Sequence, residues 1–172
     1  SVGTYSAGAL VGVSFAVITS AYGRQSQGTV RPHLLDLPVS QYGVDMADHT
    51  DDLRLAHILA DDADSLTMSR FGARDLTVST KPDHSEVTDA DLAVEDSVRR
   101  TLSRMRSRDA VHGEERADTG DGPRRWIIDP IDGTANFLRG VPVWATLIAL
   151  SVEDQIVASV VSAPALKRRW WA

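Results

Sequence analysis

Asp129 and Asp132 stand three positions apart in the run Trp126-Ile127-Ile128-Asp129-Pro130-Ile131-Asp132-Gly133-Thr134-Ala135-Asn136-Phe137. Carboxylates are hard oxygen donors of the kind that hold Mg²⁺. Pro130 fixes one backbone angle between them and Gly133 frees the next. Asp132-Gly133-Thr134 reads as a turn opening a helix, offering backbone N–H groups and a hydroxyl to an anion. Oxygen ligands beside an anion cradle suit Mg²⁺-dependent chemistry on a phosphate. Two further acidic segments lie upstream. Gly113-Glu114-Glu115 places Glu114 15 positions before Asp129, and Val87-Thr88-Asp89-Ala90-Asp91 precedes it. Taken singly each is bland: Asp-x-x-Asp is commonly a strand end, Gly-Glu-Glu carries no meaning alone, and Asp89 and Asp91 also suit a helix start.

Taken together they are specific. Asp-Pro-Ile-Asp-Gly-Thr-x-Asn-Phe resembles the signature of the inositol monophosphatase family, which includes histidinol-phosphatases, fructose bisphosphatases and nucleotide phosphatases. Val-Thr-x-x-Asp after a lysine-bearing segment, and Gly-Glu-Glu before the main motif, resemble the same family. The resemblance implies metal ligation by Glu114, Asp129, Asp132 and the carbonyl of Ile131, holding two or three Mg²⁺ ions or Mn²⁺. It implies that Asp91 and Thr134 orient an attacking water, and that the N–H groups of Gly133 and Thr134 hold a phosphate oxygen. The implied reaction is hydrolysis of a small phosphate monoester without a covalent phosphoenzyme. Val141-Pro142-Val143-Trp144-Ala145 and the last ten residues are similar to the actinobacterial histidinol-phosphatase branch. Histidinol phosphate is therefore the first expectation for substrate, inositol 1-phosphate the second, and a 3′-nucleotide the third. Ala135 departs from many members, which carry a larger or hydroxylated residue there.

The elements that position these residues follow from periodicity. Trp126 to Ile128 predicts a short buried strand and Ala110 to His112 another. Leu55, Leu59, Ala63 and Leu66 recur at helical spacing, predicting a helix from Thr50 to about Phe71, stopped at Gly72. His57 reads as a helix-face residue. Leu76 to Thr80 predicts a strand. Val94, Val98, Leu102 and Met105 predict the buried face of a second helix, whose Arg99, Arg100, Arg104 and Arg106 read as a solvated face. Ala117 to Pro123 reads as a loop. Val143 to Val152 and Gln155 to Ser162 predict a hairpin turning at Glu153-Asp154, and Arg168 to Trp171 a further strand. The resemblance implies an α+β fold: the N-terminal half of a layered αβαβα sandwich, two antiparallel helices packed on an antiparallel sheet.

The chain has 172 residues, 42% hydrophobic and 24% charged, with net charge −6 and no cysteine. That favours a globular class and excludes disulfides and thiolate metal sites. No basic patch suggests nucleic acid as partner. Residues 1–45 contain no Lys and no Glu. Ala7 to Ile18 is an apolar run too short for a confident membrane span and lacks the basic flank of a signal segment. Residues 1–45 are expected to be an upstream extension, disordered or not native, with a secretory or membrane segment as the second reading. Residues 46–172 are expected to form a metal-dependent phosphatase domain incomplete at its C-terminus, because the resemblance stops before the family's last metal-ligand aspartate. The expected setting is a cytoplasmic homodimer acting on a small phosphorylated metabolite, without membrane or nucleic-acid partners. A reading of another class is an inactive metal-binding fragment.

Overall fold

The computed structural model describes residues 49–82 and 84–172. The expectations for residues 1–45 lie outside them. The described elements, in order, are α1 (Thr50–Arg70), β1 (Val78–Thr80), β2 (Glu86–Thr88), α2 (Asp89–Met105), β3 (Ala110–Gly113), β4 (Arg124–Asp132), α3 (Thr134–Leu138), β5 (Ala145–Val152), β6 (Gln155–Ala163), a 3₁₀ turn (Pro164–Leu166) and β7 (Arg168–Trp171). Among the described residues no helix is long and apolar enough to cross a membrane.

Helix α1 buries Leu55, Ala56, Leu59, Ala60, Ala63 and Thr67, one stripe at the 3.6-residue period. Its alanines leave room for a neighbour, and Asp51 and Asp52 sit in the first turn, where the helix dipole favours anions. In α2 the stripe is Asp91, Val94, Glu95, Val98 and Leu102. Met105, expected in that stripe, is half exposed, because it lies in the last turn, past the packed length of the helix. Arg99 and Arg106, expected to be solvated, are instead partly buried in ion pairs, while Arg100 and Arg104 are exposed.

A five-stranded sheet runs in the order β3-β4-β5-β6-β7, and β1-β2 form a separate two-stranded hairpin. The pairs from β4 to β7 are antiparallel, as expected. The pair β3-β4 is parallel, which corrects the wholly antiparallel expectation. A parallel neighbour needs a crossover, here the loop of residues 114–123. That loop is pinned to β3 by paired backbone bonds between Val111 and Thr119, at 2.7 and 3.0 Å. The β5-β6 hairpin turns on Glu153 and Asp154, both at positive φ, the geometry of a tight two-residue turn.

Alternation along β4 divides the core. Trp126 and Ile128 pack with Ile148, Leu150, Val160, Leu55, Leu59, Val94, Val98 and Leu102, filling the space between helices and sheet. Ile127 joins Leu147, Ala149 and Val161 on the other face. Each fully buried leucine or valine contributes about 1.5–3 kcal/mol by leaving water. A polar knot closes one end. Asp52 accepts from Arg124 at 2.9 Å and Arg106 at 3.2 Å, while Asp109 accepts from Arg124 at 3.1 Å and the Trp126 indole at 2.9 Å. Burial pushes the Asp52 carboxyl up, but the bonds from Arg124, His49 and Arg106 outweigh it and hold it below the usual aspartate range. His57 stands edge-on to Trp171 at 5.3 Å, as a helix-face residue can.

Candidate active site

The parallel pairing assembles the acidic groups. In the β3-β4 ladder Gly113 lies opposite Ile128, so the next residues, Glu114 and Asp129, emerge together where the parallel pairing ends, toward the carboxyl ends of the two strands. Ligand crevices in α/β sheets lie outside that end of parallel strands.

The second device is a bulge. In a regular strand, residues three apart face opposite sides. Asp129 pairs with Leu147 and Asp132 with Ala145, so three steps on β4 match two on β5. The extra residue brings both aspartates onto one face. Pro130 sits inside the bulge, where its missing N–H breaks no ladder bond. Its carbonyl accepts the Thr146 hydroxyl at 2.8 Å. Gly133 follows at φ +93°, a left-handed conformation that admits glycine readily, and a Cβ there would press on the Val143 carbonyl at 3.2 Å. It caps α3, whose Phe137 is buried against Trp144 and Phe71, with ring centroids 5.0 and 5.6 Å away. The Thr134 hydroxyl donates to the Ile131 carbonyl at 3.0 Å.

Asp91 comes from the start of α2. Its Oδ2 accepts the Thr88 backbone N–H at 2.8 Å and the Thr88 hydroxyl at 2.6 Å, completing a capping box. Helix capping and a place in the acidic cluster thus coexist. Burial pushes Asp91 up, the Thr88 bonds oppose it, and the Glu114 charge adds to the rise.

Asp129 carries the strongest electrostatic signature. It is 7% exposed, and its Oδ1 is buried without a hydrogen-bond partner. Burial first, then the charges of Glu114 and Asp132 and a hydrogen bond with Glu114, push its carboxyl well above the usual range. Asp132, on the open side, is raised by its surroundings and then by Glu114. Perturbed acids gathered in this way mark functional sites more often than chance.

The sequence reading missed three groups. Lys81, from the loop after β1, donates to Glu114 at 2.9 Å and Glu115 at 2.7 Å. Burial pulls its ammonium down, but the bonds to Glu115 and Glu114 more than reverse this and leave it above the usual lysine value. Glu115 is raised by burial, against the pull of Lys81. Glu95, fully buried in α2, grips the turn that carries Glu114. Its position four residues after Asp91 on a buried stripe was the available signal.

Among the described residues no three acidic or imidazole side chains stand arranged to enclose an ion as they lie, since Glu114 is turned onto Lys81. The donor set nonetheless fits a hard divalent cation. It offers carboxylate and carbonyl oxygens, one carboxylate oxygen is buried without a partner, and the acids raise one another's proton affinity for want of positive charge.

Residues 49–172 match the inositol monophosphatase family. The chain is 63% identical over 131 residues to a histidinol-phosphatase of Streptomyces coelicolor, covering 74% of this chain and 49% of that protein. It is 62% identical over 123 residues to a histidinol-phosphatase of Mycobacterium tuberculosis, covering 71% of this chain and 47% of that one. Among solved structures, the extragenic suppressor protein suhB of Bartonella henselae superposes with a TM-score of 0.68 at 32% identity, covering 72% of this chain and 49% of that one. The chain thus spans about half the length of the curated relatives it matches. With the motif, the fold and the family match in agreement, the chain belongs to the inositol monophosphatase family.

Proposed function

We propose that the protein carrying this chain hydrolyses histidinol phosphate to histidinol and inorganic phosphate in a Mg²⁺-dependent reaction. The observation that carries the metal-dependent part is the buried, unpartnered Asp129 oxygen beside Glu114 and Asp132, a concentration of negative charge lacking a matching cation. The two histidinol-phosphatases at 63% and 62% identity support the choice of substrate.

Glu114, Asp129, Asp132 and the Ile131 carbonyl would hold the ions, two or three Mg²⁺, with Mn²⁺ as a substitute. Bound there, the ions supply the positive charge that offsets the ester dianion and eases ionisation of water. Asp91 and the Thr134 hydroxyl orient the attacking water. The N–H groups of Gly133 and Thr134 hold a phosphate oxygen, as first-turn N–H groups lack intrahelical acceptors. A water oxygen forms the new P–O bond, the ester P–O bond breaks, and the leaving alkoxide takes a proton. The protein works in the cytoplasm on small phosphorylated metabolites, as a homodimer, without membrane or nucleic-acid partners. The net charge of −6 fits the last point.

The test is phosphate release by the full-length protein from histidinol phosphate, inositol 1-phosphate and a 3′-nucleotide, each with Mg²⁺ and with EDTA. The expected result is the highest kcat/KM on histidinol phosphate and no turnover in EDTA. Turnover undiminished by EDTA overturns the metal-dependent reading. Preference for another ester overturns the substrate assignment alone.

A further inference from the structure

We propose that Glu95 is a positioning residue for the proposed metal site: it fixes the Glu114 turn so that the Glu114 carboxylate is presented at the carboxyl end of β4. The inference rests on the metal-dependent reading above.

Glu95 is 0% exposed, on the buried stripe of α2 among Val94, Val98 and Leu102. A carboxylate there needs compensation, because a buried charge without hydrogen bonds is strongly disfavoured. Its hydrogen bonds come from donors that organise the 114–116 turn. Oε2 accepts the Glu115 backbone N–H at 2.7 Å, and Oε1 accepts the Arg116 backbone N–H at 3.2 Å. Oε1 also accepts from Arg99 Nε at 2.8 Å, and Arg99 reaches on to the Arg116 carbonyl at 3.4 Å and the Thr119 hydroxyl at 3.2 Å. Arg116 adds two bonds to Asp96, at 3.0 and 2.9 Å. One helical carboxylate thereby grips the backbone on the C-terminal side of Glu114.

The N-terminal side is held by contact. A Cβ on Gly113 would lie 2.0 Å from Glu95 Oε1 and 2.4 Å from its Cδ. Glycine at this position of β3 is what lets the carboxylate reach the turn. Gly113 is also the last residue in parallel register with β4, opposite Ile128. Glu114 is thus bounded by a strand position fixed against β4 and by N–H groups fixed against α2. Only an acceptor with two oxygens can receive these three donors; an amide would turn an N–H₂ group on one of them. Groups that orient metal ligands from behind commonly weaken metal affinity about 10–100-fold when removed.

The experiment uses the full-length protein stripped of metal, with Mn²⁺ alone as probe, followed by electron paramagnetic resonance of the free ion. Glu95→Gln is expected to weaken Mn²⁺ binding about 10–100-fold while keeping the wild-type circular dichroism. Hydrogen exchange at the amides of Glu115 and Arg116 should accelerate. At saturating Mg²⁺ the KM for histidinol phosphate should stay within about threefold of wild type, because Glu95 touches neither substrate nor ion; a purely structural lesion would not separate these quantities. A folded Glu95→Gln variant with Mn²⁺ affinity within about threefold of wild type overturns the proposal. Should that variant fail to fold, Arg99→Gln decides: it removes one donor from Glu95 and leaves the carboxylate. It is expected to loosen both the exchange of the 115–116 amides and Mn²⁺ binding, and no change in either overturns the proposal. Asp132→Asn, measured alongside, separates the two levels. If it binds Mn²⁺ as tightly as wild type, the metal-site reading fails; if it loses binding while Glu95→Gln does not, the positioning role alone fails.

Discussion

Asp129→Asn should stabilise the metal-free protein and destabilise the metal-loaded one relative to wild type. The structure sets the sign. Asp129 Oδ1 is buried with no partner, and burial, Glu114 and Asp132 all push the carboxyl upward. An acid whose folded value exceeds its unfolded one binds its proton more tightly in the native state. Native stability is then full below the unfolded value near 3.8 and is lost as pH rises through the folded value. At neutral pH the wild-type protein bears that loss. Asparagine is close in shape, carries no charge, and can donate to the Glu114 carboxylate beside it. The gain comes from removing a buried charge that Glu114 and Asp132 repel, and should be on the order of 1–3 kcal/mol, the scale on which an uncompensated buried group destabilises a fold. That corresponds to a rise of about 2–4 °C in Tm per kcal/mol. Added Mg²⁺ at about 100 times its Kd stabilises a protein that binds it by about 2.7 kcal/mol; the variant, lacking a ligand charge, should gain far less. The order of stabilities therefore inverts between EDTA and Mg²⁺. Calorimetric melting from pH 5 to 8, with and without Mg²⁺, reads this directly. A variant that melts below wild type in EDTA at neutral pH, or equal Mg²⁺ stabilisation of both proteins, refutes the reasoning.

Two further substitutions probe different links. Asp132→Asn should lower kcat by far more than tenfold, about 1.4 kcal/mol of barrier, with an unchanged circular dichroism spectrum; a loss within tenfold would show that Asp132 holds no ion. Asp52→Asn should destabilise at pH 7 and much less in acid. The depressed Asp52 carboxyl contributes stability above its unfolded value of about 3.8 and loses it as pH falls through the folded one. Urea midpoints at pH 7 and pH 3 measure the difference, and an equal shift at both would place the effect outside the ion pairs with Arg124 and Arg106.

Much of this site was legible from residue types, and what was hidden was direction. Asp129, Asp132 and Glu114 announce themselves as acids in a recognisable pattern, and the helix stripes of Leu55, Leu59, Val94 and Val98 follow the period that packing demands. Nothing in the four residues of β3 states whether it runs with or against β4, because side-chain alternation is the same in both. Yet that choice decides whether Glu114 ends beside Asp129 or at the far end of the strand. The bulge was equally hidden. The expected strand covered only Trp126 to Ile128, and the structure continues β4 through Pro130 to Asp132. The expected strand at Leu76 shortened to Val78–Thr80 because it pairs with only three residues of β2 and is exposed throughout. Glu95 escaped notice because a glutamate in a helix reads as surface until its backbone partners, 20 and 21 positions away, are known.

The same arrangement explains why stability and function pull apart here. Asp91, Glu115, Asp129 and Asp132 all have raised proton affinities, first through burial, and all four owe part of the rise to the Glu114 charge. A fold selected for stability alone would surround such acids with arginines, as it does for Asp52, whose carboxyl is depressed. Around the site it instead supplies Lys81, bound to Glu114 and Glu115, and leaves an oxygen of Asp129 unpaired. Rigid backing from Glu95, the Pro130 bulge and the Phe137-Trp144-Phe71 cluster keeps the repelling carboxylates from relaxing apart. The imbalance is thus held in place by packing, and a divalent cation would lower the energy of each acid at once.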